Sequence, residues 1–267
     1  MNAAHAYIIL GASGSGRRAV LADLIENGLD DSARPVLLTA AGEPAAAEEV
    51  AKRLTGIATL IQGTWSAAEK GVSVGELPEG ATHVFMLVDG RMNPVDQIEA
   101  IHAWLPSAGL EMARIITVVN CQLASAHPEL LRWYDACVHF SDVVLLNRRE
   151  GVPNKWISDF TARYRKQHFP CLIEPVKKGE LDNPALVLEP QARRMSMLFD
   201  ADEAWAVPGD TAVVVEDEDE DDEDGGARTG ADDDDADLID AADPYIERLA
   251  GSGRRAKEIP DIAKFLT

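Results

Sequence analysis

The chain has 267 residues, 46% of them hydrophobic and 27% charged, with a net charge of −21 at pH 7. That length can bury the core of one domain of about 200 residues. Residues 210–267 carry 20 Asp/Glu against 6 Lys/Arg, a net of −14, which leaves −7 for residues 1–209. A polyanionic tail repels nucleic acid and anionic membrane, which argues against both as direct partners. The cysteines, Cys121, Cys137 and Cys171, are odd in number and form no C-x-x-C pair. That usage fits a reducing compartment rather than a disulfide framework. The N-terminus MNAAHAYIILGASG has no basic stretch, and its apolar run is too short for a signal or a membrane span, so a cytoplasmic protein is expected.

Up to about residue 200, short apolar runs alternate with amphipathic stretches. Ala6–Leu10 reads as a strand, and Arg17–Glu26 as a helix. Val36–Thr39 is a second strand, followed by a helix over Pro44–Leu54, where Ala46, Ala47, Val50, Ala51 and Leu54 recur at helical spacing. Ala58–Ile61 and Val84–Val88 are further strands. Val95–Leu105 is a helix, with Val95, Ile98, Ile101, His102 and Leu105 on one face. Strands over Ile115–Val119, Val143–Leu146 and Cys171–Ile173 then alternate with helices over Pro128–Cys137 and Lys155–Lys166. Nearly continuous apolar runs mark strands buried on both faces of a parallel sheet. Their alternation with helices predicts a three-layer, doubly wound α/β domain over residues 1–200.

Composition then shifts. Residues 201–242 contain Glu216–Asp224 and Asp232–Asp235, almost unbroken acids, and are expected to form a disordered linker because they bury too little apolar surface. Residues 243–267 carry Tyr245, Ile246, Leu249, Ile259, Ile262, Phe265 and Leu266. They read as a C-terminal linear motif or short helix, which either docks on a protein partner or packs back on its own domain.

Three stretches bear on chemistry. GASGSGRR, residues 11–18, lies between the first strand and the first helix. In the phosphate-binding pattern G-x-x-x-x-G-K-S/T, backbone N–H groups wrap a phosphate, the lysine reaches the β/γ-phosphates and the hydroxyl binds Mg²⁺. Gly11 and Gly16 have that spacing, with Ser13, Gly14 and Ser15 between them, but Arg17 and Arg18 replace the lysine and the hydroxyl. By itself the loop reads equally as a tight strand-to-helix turn. Asp89-Gly90 ends the apolar run of HVFMLVDGRMNP, where a Walker-B acid would help to hold Mg²⁺. Asp before Gly is also ordinary turn chemistry. Asn147-Arg148-Arg149-Glu150 follows the strand VVLL and parallels the guanine-reading N-K-x-D, with Arg148 able to stack on a base and Glu150 offering the carboxylate.

Together these stretches resemble the CobW-type P-loop GTPases, relatives of the nickel-insertion GTPases. Tyr7–Arg18 matches the strand and P-loop. In PVLLTAAGEP (Pro35–Pro44), Gly42 and Glu43 match the family's Asn-Glu-x-Gly-Glu turn. In FMLVDGRMNP (Phe85–Pro94), Gly90 and Pro94 match its E-x-x-G-x-x-x-P strand. Ile115–Glu150 follows its last two strands, and Ile157–Pro175 its closing helix and strand. The resemblance covers roughly residues 6–185. It implies a P-loop NTPase-like domain with a mainly parallel sheet. The implied GTP or GDP site comprises Gly11, Ser13, Gly14, Ser15, Gly16, Arg17, Arg18, Asp89, Gly90, Asn147, Arg148 and Glu150.

The departures concern chemistry. Besides Arg17 and Arg18, Leu87 stands in place of the family's Glu, Asn120 in place of an Asp, and Glu150 in place of the guanine-reading Asp. The family's C-x-C-C metal motif would fall near Leu60–Ala68, which has no cysteine. Slow or absent hydrolysis follows, with no catalytic residue and no metal ligand assigned and Mg²⁺ disfavoured. The expectation is a degenerate CobW-like protein that binds GTP-type nucleotide weakly or not at all and acts as an interaction module, with a protein partner engaged by the acidic tail and C-terminal motif. The alternative is an active GTP-dependent metal-handling GTPase with variant motifs. Other chemistries find less support. The six histidines show no zinc spacing. Ser13 and Ser15 lack a nucleophile elbow. No tyrosine has a lysine four residues later, as a short-chain dehydrogenase needs; Tyr164 has His168 there.

Overall fold

A computed structural model describes residues 3–68, 71–200, 243–251 and 253–266. β1 (Ala4–Leu10) lies inside an eight-stranded sheet with β2 (Pro35–Ala40), β3 (Ile61–Ala68), β4 (Gly71–Val74), β5 (His83–Leu87), β6 (Leu110–Asn120), β7 (Val143–Asn147) and β8 (Leu172–Pro175). The spatial order is β4-β3-β2-β5-β1-β6-β7-β8. Every pairing is parallel except β3 with β4. β1 is flanked by β5 (Ile8 opposite Met86) and by β6 (Ile8 opposite Ile115).

Helices cover both faces, as buried parallel strands require. α1 (Arg17–Gly28), α2 (Glu48–Gly56) and α7 (Pro184–Leu188) lie over one face. There Leu21, Leu24, Leu54 and Leu188 pack on Tyr7, Ile9, Phe85 and Ile116. α3 (Pro94–Ala108), α4 (Cys121–Ala126), α5 (Leu131–His139) and α6 (Asn154–Arg165) lie over the other. There Ile98, Trp133, Tyr134 and Phe160 pack on Ile8, Met86, Val144 and Leu146. The sheet alternation sorts neighbouring residues of β1 to opposite cores. α3 is locally well specified: Asn93 accepts from the Val95 N–H as its cap, Pro94 opens it, and Gly109 closes it in the left-handed region.

Two expectations from the sequence shift. The run Ala58–Ile61 is mostly a turn, and the strand begins at Ile61 and continues through the polar IQGTWSAA. Only Trp65 of that strand is buried, so apolar patterning could not mark it. The helix expected from Pro44 starts at Glu48, because Ala47 is extended. The stretch 44–47 instead forms a wall beside the glycine loop.

The acidic segment 201–242 lies outside the described residues. Residues 243–251 and 253–266 pack back on the domain as an irregular strap that includes a 3₁₀ turn, Ile262–Phe265. Tyr245 and Ile262 enter the core. Arg255 pairs with Asp96 and Glu99 of α3, and Arg248 lies 2.9 Å from Glu99. On the other side of residues 201–242, the chain is clamped by fully buried Asp142. Its carboxylate accepts from the N–H groups of Ile115 and Arg193 and from Arg194. Among the described residues no helix is long and apolar enough to cross a membrane.

The strap begins at a polar anchor. The Asp243 carboxylate lies 2.9 Å from His139 Nε2 and accepts from the Tyr245 N–H. Burial works to raise its pKa, but the hydrogen bonds from His139, Ser196 and the Tyr245 N–H outweigh burial and hold it below the ordinary carboxylate range. A carboxyl with a depressed native pKa stabilises the fold above its unfolded value and loses that contribution as pH falls through the native value. Hydrogen exchange at the amides of Ile246 and Glu247 should therefore stay protected from neutral pH to about pH 4 and lose protection below it. Protection lost between pH 7 and pH 5 would contradict this anchor. Ile262→Ala should cost about 2–4 kcal/mol in urea unfolding, as a core truncation does; a neutral result would place the strap outside the cooperative unit.

Candidate functional site

The glycine loop, residues 11–16, connects β1 to α1 at the carboxyl ends of the parallel strands, where open α/β sheets place their ligand crevices. It is locked by its own backbone: the Ser13 N–H donates to Gly90 O at 3.1 Å, and the Ser15 N–H to Ala12 O at 3.1 Å. Gly16 caps α1 at φ 87°, a left-handed conformation, and an added Cβ there would lie 2.5 Å from Asn147 Nδ2. Asn147, at the end of β7, donates from Nδ2 to Ser15 O at 2.8 Å and braces the loop from beneath. Gly90 is required by close approach: an added Cβ would lie 2.3 Å from Ser13 N and 2.6 Å from Gly11 O.

α1 has no side-chain cap. Among the described residues, the N–H groups of Gly14, Gly16, Arg17 and Arg18 donate to no acceptor. These donors at a helix N-terminus favour an anion. Beside them is a cavity of about 290 Å³, walled by Ser13, Gly14, Gly16, Arg17, Arg18, Arg148 and the stretch Glu43–Ala47.

Both arginines line that cavity, but their guanidiniums are held by protein partners. Arg17 is buried, its Nη1 donating to Val88 O at 2.7 Å. Its Nη2 lies 2.6 Å from Glu43 Oε1, an ion-pair contact off the hydrogen-bond axis. Burial pulls the Arg17 pKa down, and Glu43 opposes that shift. Arg18 donates to Pro44 O at 2.7 Å and sits 3.9 Å from Glu43 Oε1. The second Glu43 oxygen accepts from Ser13 Oγ at 3.0 Å and from the Gly90 N–H at 2.8 Å. Ser15 Oγ is buried without a hydrogen-bond partner among the described residues.

Asp89 is also engaged. Its Oδ1 accepts from the Arg91 N–H at 3.0 Å and from Arg91 Nε at 3.2 Å, while Gln97 holds its main-chain N–H and carbonyl. Arg148 adopts φ 52° and is exposed at the cavity wall. Glu150 stands in the exposed turn beyond it, outside that wall, with its carbonyl held by Gln122 Nε2 at 2.7 Å. Thus Gly11, Ser13, Gly14, Ser15, Gly16, Arg17, Arg18, Asp89, Gly90 and Asn147 converge, Arg148 borders them, and Glu150 lies apart. Among the described residues no group of three His, Cys, Asp or Glu side chains could hold a metal ion.

Glu43, Arg91 and Gln97 were not singled out as site residues by the sequence. Glu43 had a visible sign, the Gly42-Glu43 match after the second strand. The other two had none, because their roles arise from hydrogen bonds to Asp89.

No family model matches the chain, and no curated protein matches it. Several solved structures are similar to this chain over part of its length. Hydrogenase maturation factor HypB from Archaeoglobus fulgidus is 12% identical, with a TM-score of 0.41 over 65% of this chain and 81% of that one. Zn(II)-bound YjiA GTPase from E. coli is 10% identical, with a TM-score of 0.39 over 72% of this chain and 67% of that one. A Zn(II)-bound triple mutant of YjiA GTPase is 12% identical, with a TM-score of 0.38 over 75% and 69%.

Gly90→Ala should destabilise the fold by about 2 kcal/mol or more, since two of the three clashes are with backbone and the third is with the buried Arg17 guanidinium. Gly75→Ala, where an added Cβ meets open space, should stay within about 0.5 kcal/mol of the parent in the same urea titration. Equal effects at the two positions would contradict the close packing of Gly90 on the loop.

Proposed function

We propose that this chain is a catalytically degenerate P-loop protein that binds GTP-type nucleotide weakly or not at all and works as an interaction module. The observation that carries the reading is the position of Arg17. Its guanidinium is committed to Val88 O and Glu43 rather than free for a phosphate.

Phosphoryl transfer depends on positioning and on neutralising charge with a cation and Mg²⁺. The residues present do not fit Mg²⁺. Position 18 is an arginine, the Asp89 carboxylate is paired with Arg91, and the Glu43 carboxylate with Arg17. No hydrolytic step follows from this set. The unpaired N–H groups of the loop still favour an anion, and Arg18 and Arg148 border the cavity with positive charge. Weak, metal-independent binding of a nucleotide is compatible with that remainder. The interaction role is assigned to the acidic segment 201–242, whose charge suits a basic protein surface.

Titration of GTP, GDP and ATP, with and without Mg²⁺, tests the reading, with Arg17→Ala as control. Dissociation constants should lie at about 1 mM or weaker, near −4 kcal/mol. Mg²⁺ should not tighten them, and no phosphate should be released. Brisk Mg²⁺-dependent GTP turnover would overturn the proposal in favour of an active GTP-dependent metal-handling protein with variant motifs.

A further inference from the structure

We infer that the Glu43 carboxylate is a resident anion of the glycine loop: it fills the subsite where a phosphate group would sit, and the loop takes an external phosphate there only when that carboxylate is removed or displaced. This deepens the proposal above and rests on its reading of the loop as a phosphate cradle.

Four observations carry it. First, the partners of Glu43 are those a phosphate oxygen would use: a main-chain N–H from Gly90, the Ser13 hydroxyl and a buried guanidinium. Second, the Glu43 side chain is only 4% exposed, although its neighbours Ala41, Gly42, Pro44 and Ala45 are all exposed. An exposed loop turns one residue inward, and that residue is charged. Third, the turn that carries Glu43 is held tightly against the loop after β5. An added Cβ on Gly42 would lie 2.2 Å from Asp89 Oδ2, and Arg91 donates to Gly42 O. Fourth, the N–H groups of Gly14, Gly16, Arg17 and Arg18 remain without acceptors beside the carboxylate, so part of the anion cradle is still vacant of internal partners among the described residues.

Arg17 is buried and charged, and a buried cation needs an anion in contact. Glu43 supplies it from within the chain. A phosphate at the same place would meet the same guanidinium and the same N–H, but would also meet the Glu43 charge at contact distance. Both cannot occupy the subsite. The carboxylate has no binding entropy to lose, because the loop already holds it, so it wins unless the external anion is tightly bound.

The test is chemical rescue. Thermal midpoints of the parent, Glu43→Ala and Glu43→Gln are measured against inorganic phosphate, pyrophosphate and GDP, all without metal, with chloride at matched ionic strength as the reference. Binding to the folded state raises the midpoint by mass action. The Glu43→Ala chain should respond to at least one of the three anions with an apparent affinity at least about tenfold tighter than the parent. Glu43→Gln keeps the slot sterically filled and should respond less than Glu43→Ala. The double variant Arg17→Ala, Glu43→Ala should lose the response, because the cation that recruits the anion is gone.

Response to phosphate and pyrophosphate as well as GDP would locate the recognition in the phosphate chemistry; response to GDP alone would add a contact to the nucleoside. Either supports the inference. A Glu43→Ala midpoint no more responsive than the parent's would overturn it, as would an undiminished response in the double variant. If Glu43→Ala is unfolded at low salt, phosphate should refold it where chloride does not, and failure of that rescue would equally overturn it. These outcomes are independent of the nucleotide titration of the parent chain, which tests the degenerate-site reading by itself.

Discussion

The Arg17–Glu43 ion pair joins the four segments on which the site depends. Arg17 comes from the first turn of α1, Glu43 from the loop after β2, the Val88 carbonyl from the end of β5 and Ser13 from the glycine loop. Taking two charges out of water is costly, and the cost is recovered only when every remaining donor and acceptor finds a partner. Here the carboxylate accepts from Ser13 Oγ and the Gly90 N–H and lies in ion-pair contact with Arg17, whose Nη1 donates to the end of a central strand. The pair therefore fixes the separation of β1, β2 and β5 at their carboxyl ends, and with it the width of the crevice. The same geometry explains the tight glycines: Gly90 and Gly16 give up side chains so that the loop can lie against Ser13 and Asn147.

The sequence revealed the architecture where burial writes a pattern. β1, β2, β5, β6 and β7 have strongly apolar interiors, and periodicity finds such strands because both faces are covered. It failed at β3 and β4. β3 exposes all but Trp65, so its residues carry no face preference, and β4 lies at the sheet edge. α4 and α7 escaped because they are only six and five residues long.

At the site, residue identity was legible but orientation was not. That Arg17 and Arg18 replace a lysine and a hydroxyl can be read from eight letters. That the Arg17 guanidinium is tied to protein partners depends on Val88 and Glu43, which are 71 and 26 residues distant along the chain. Glu43 itself looked like one matching letter in a turn. Its significance is set by four partners from other segments, and no local pattern encodes that. The strap shows a similar limit. Its apolar anchors were visible at 245–266, yet spacing could not distinguish an external partner from its own domain. The structure packs Tyr245 and Ile262 into the core and pairs Arg255 with α3.

The central claim is that this loop holds its own carboxylate where an active P-loop holds a magnesium-bound phosphate. A crystal structure from crystals grown with excess Mg²⁺ and a non-hydrolysable GTP analogue tests it most directly. The account predicts Glu43 still within hydrogen-bonding distance of the Gly90 N–H and in contact with Arg17, with no Mg²⁺ beside Asp89. An Mg²⁺–triphosphate seated in the loop, with Glu43 displaced and Arg17 on the terminal phosphate, would contradict it.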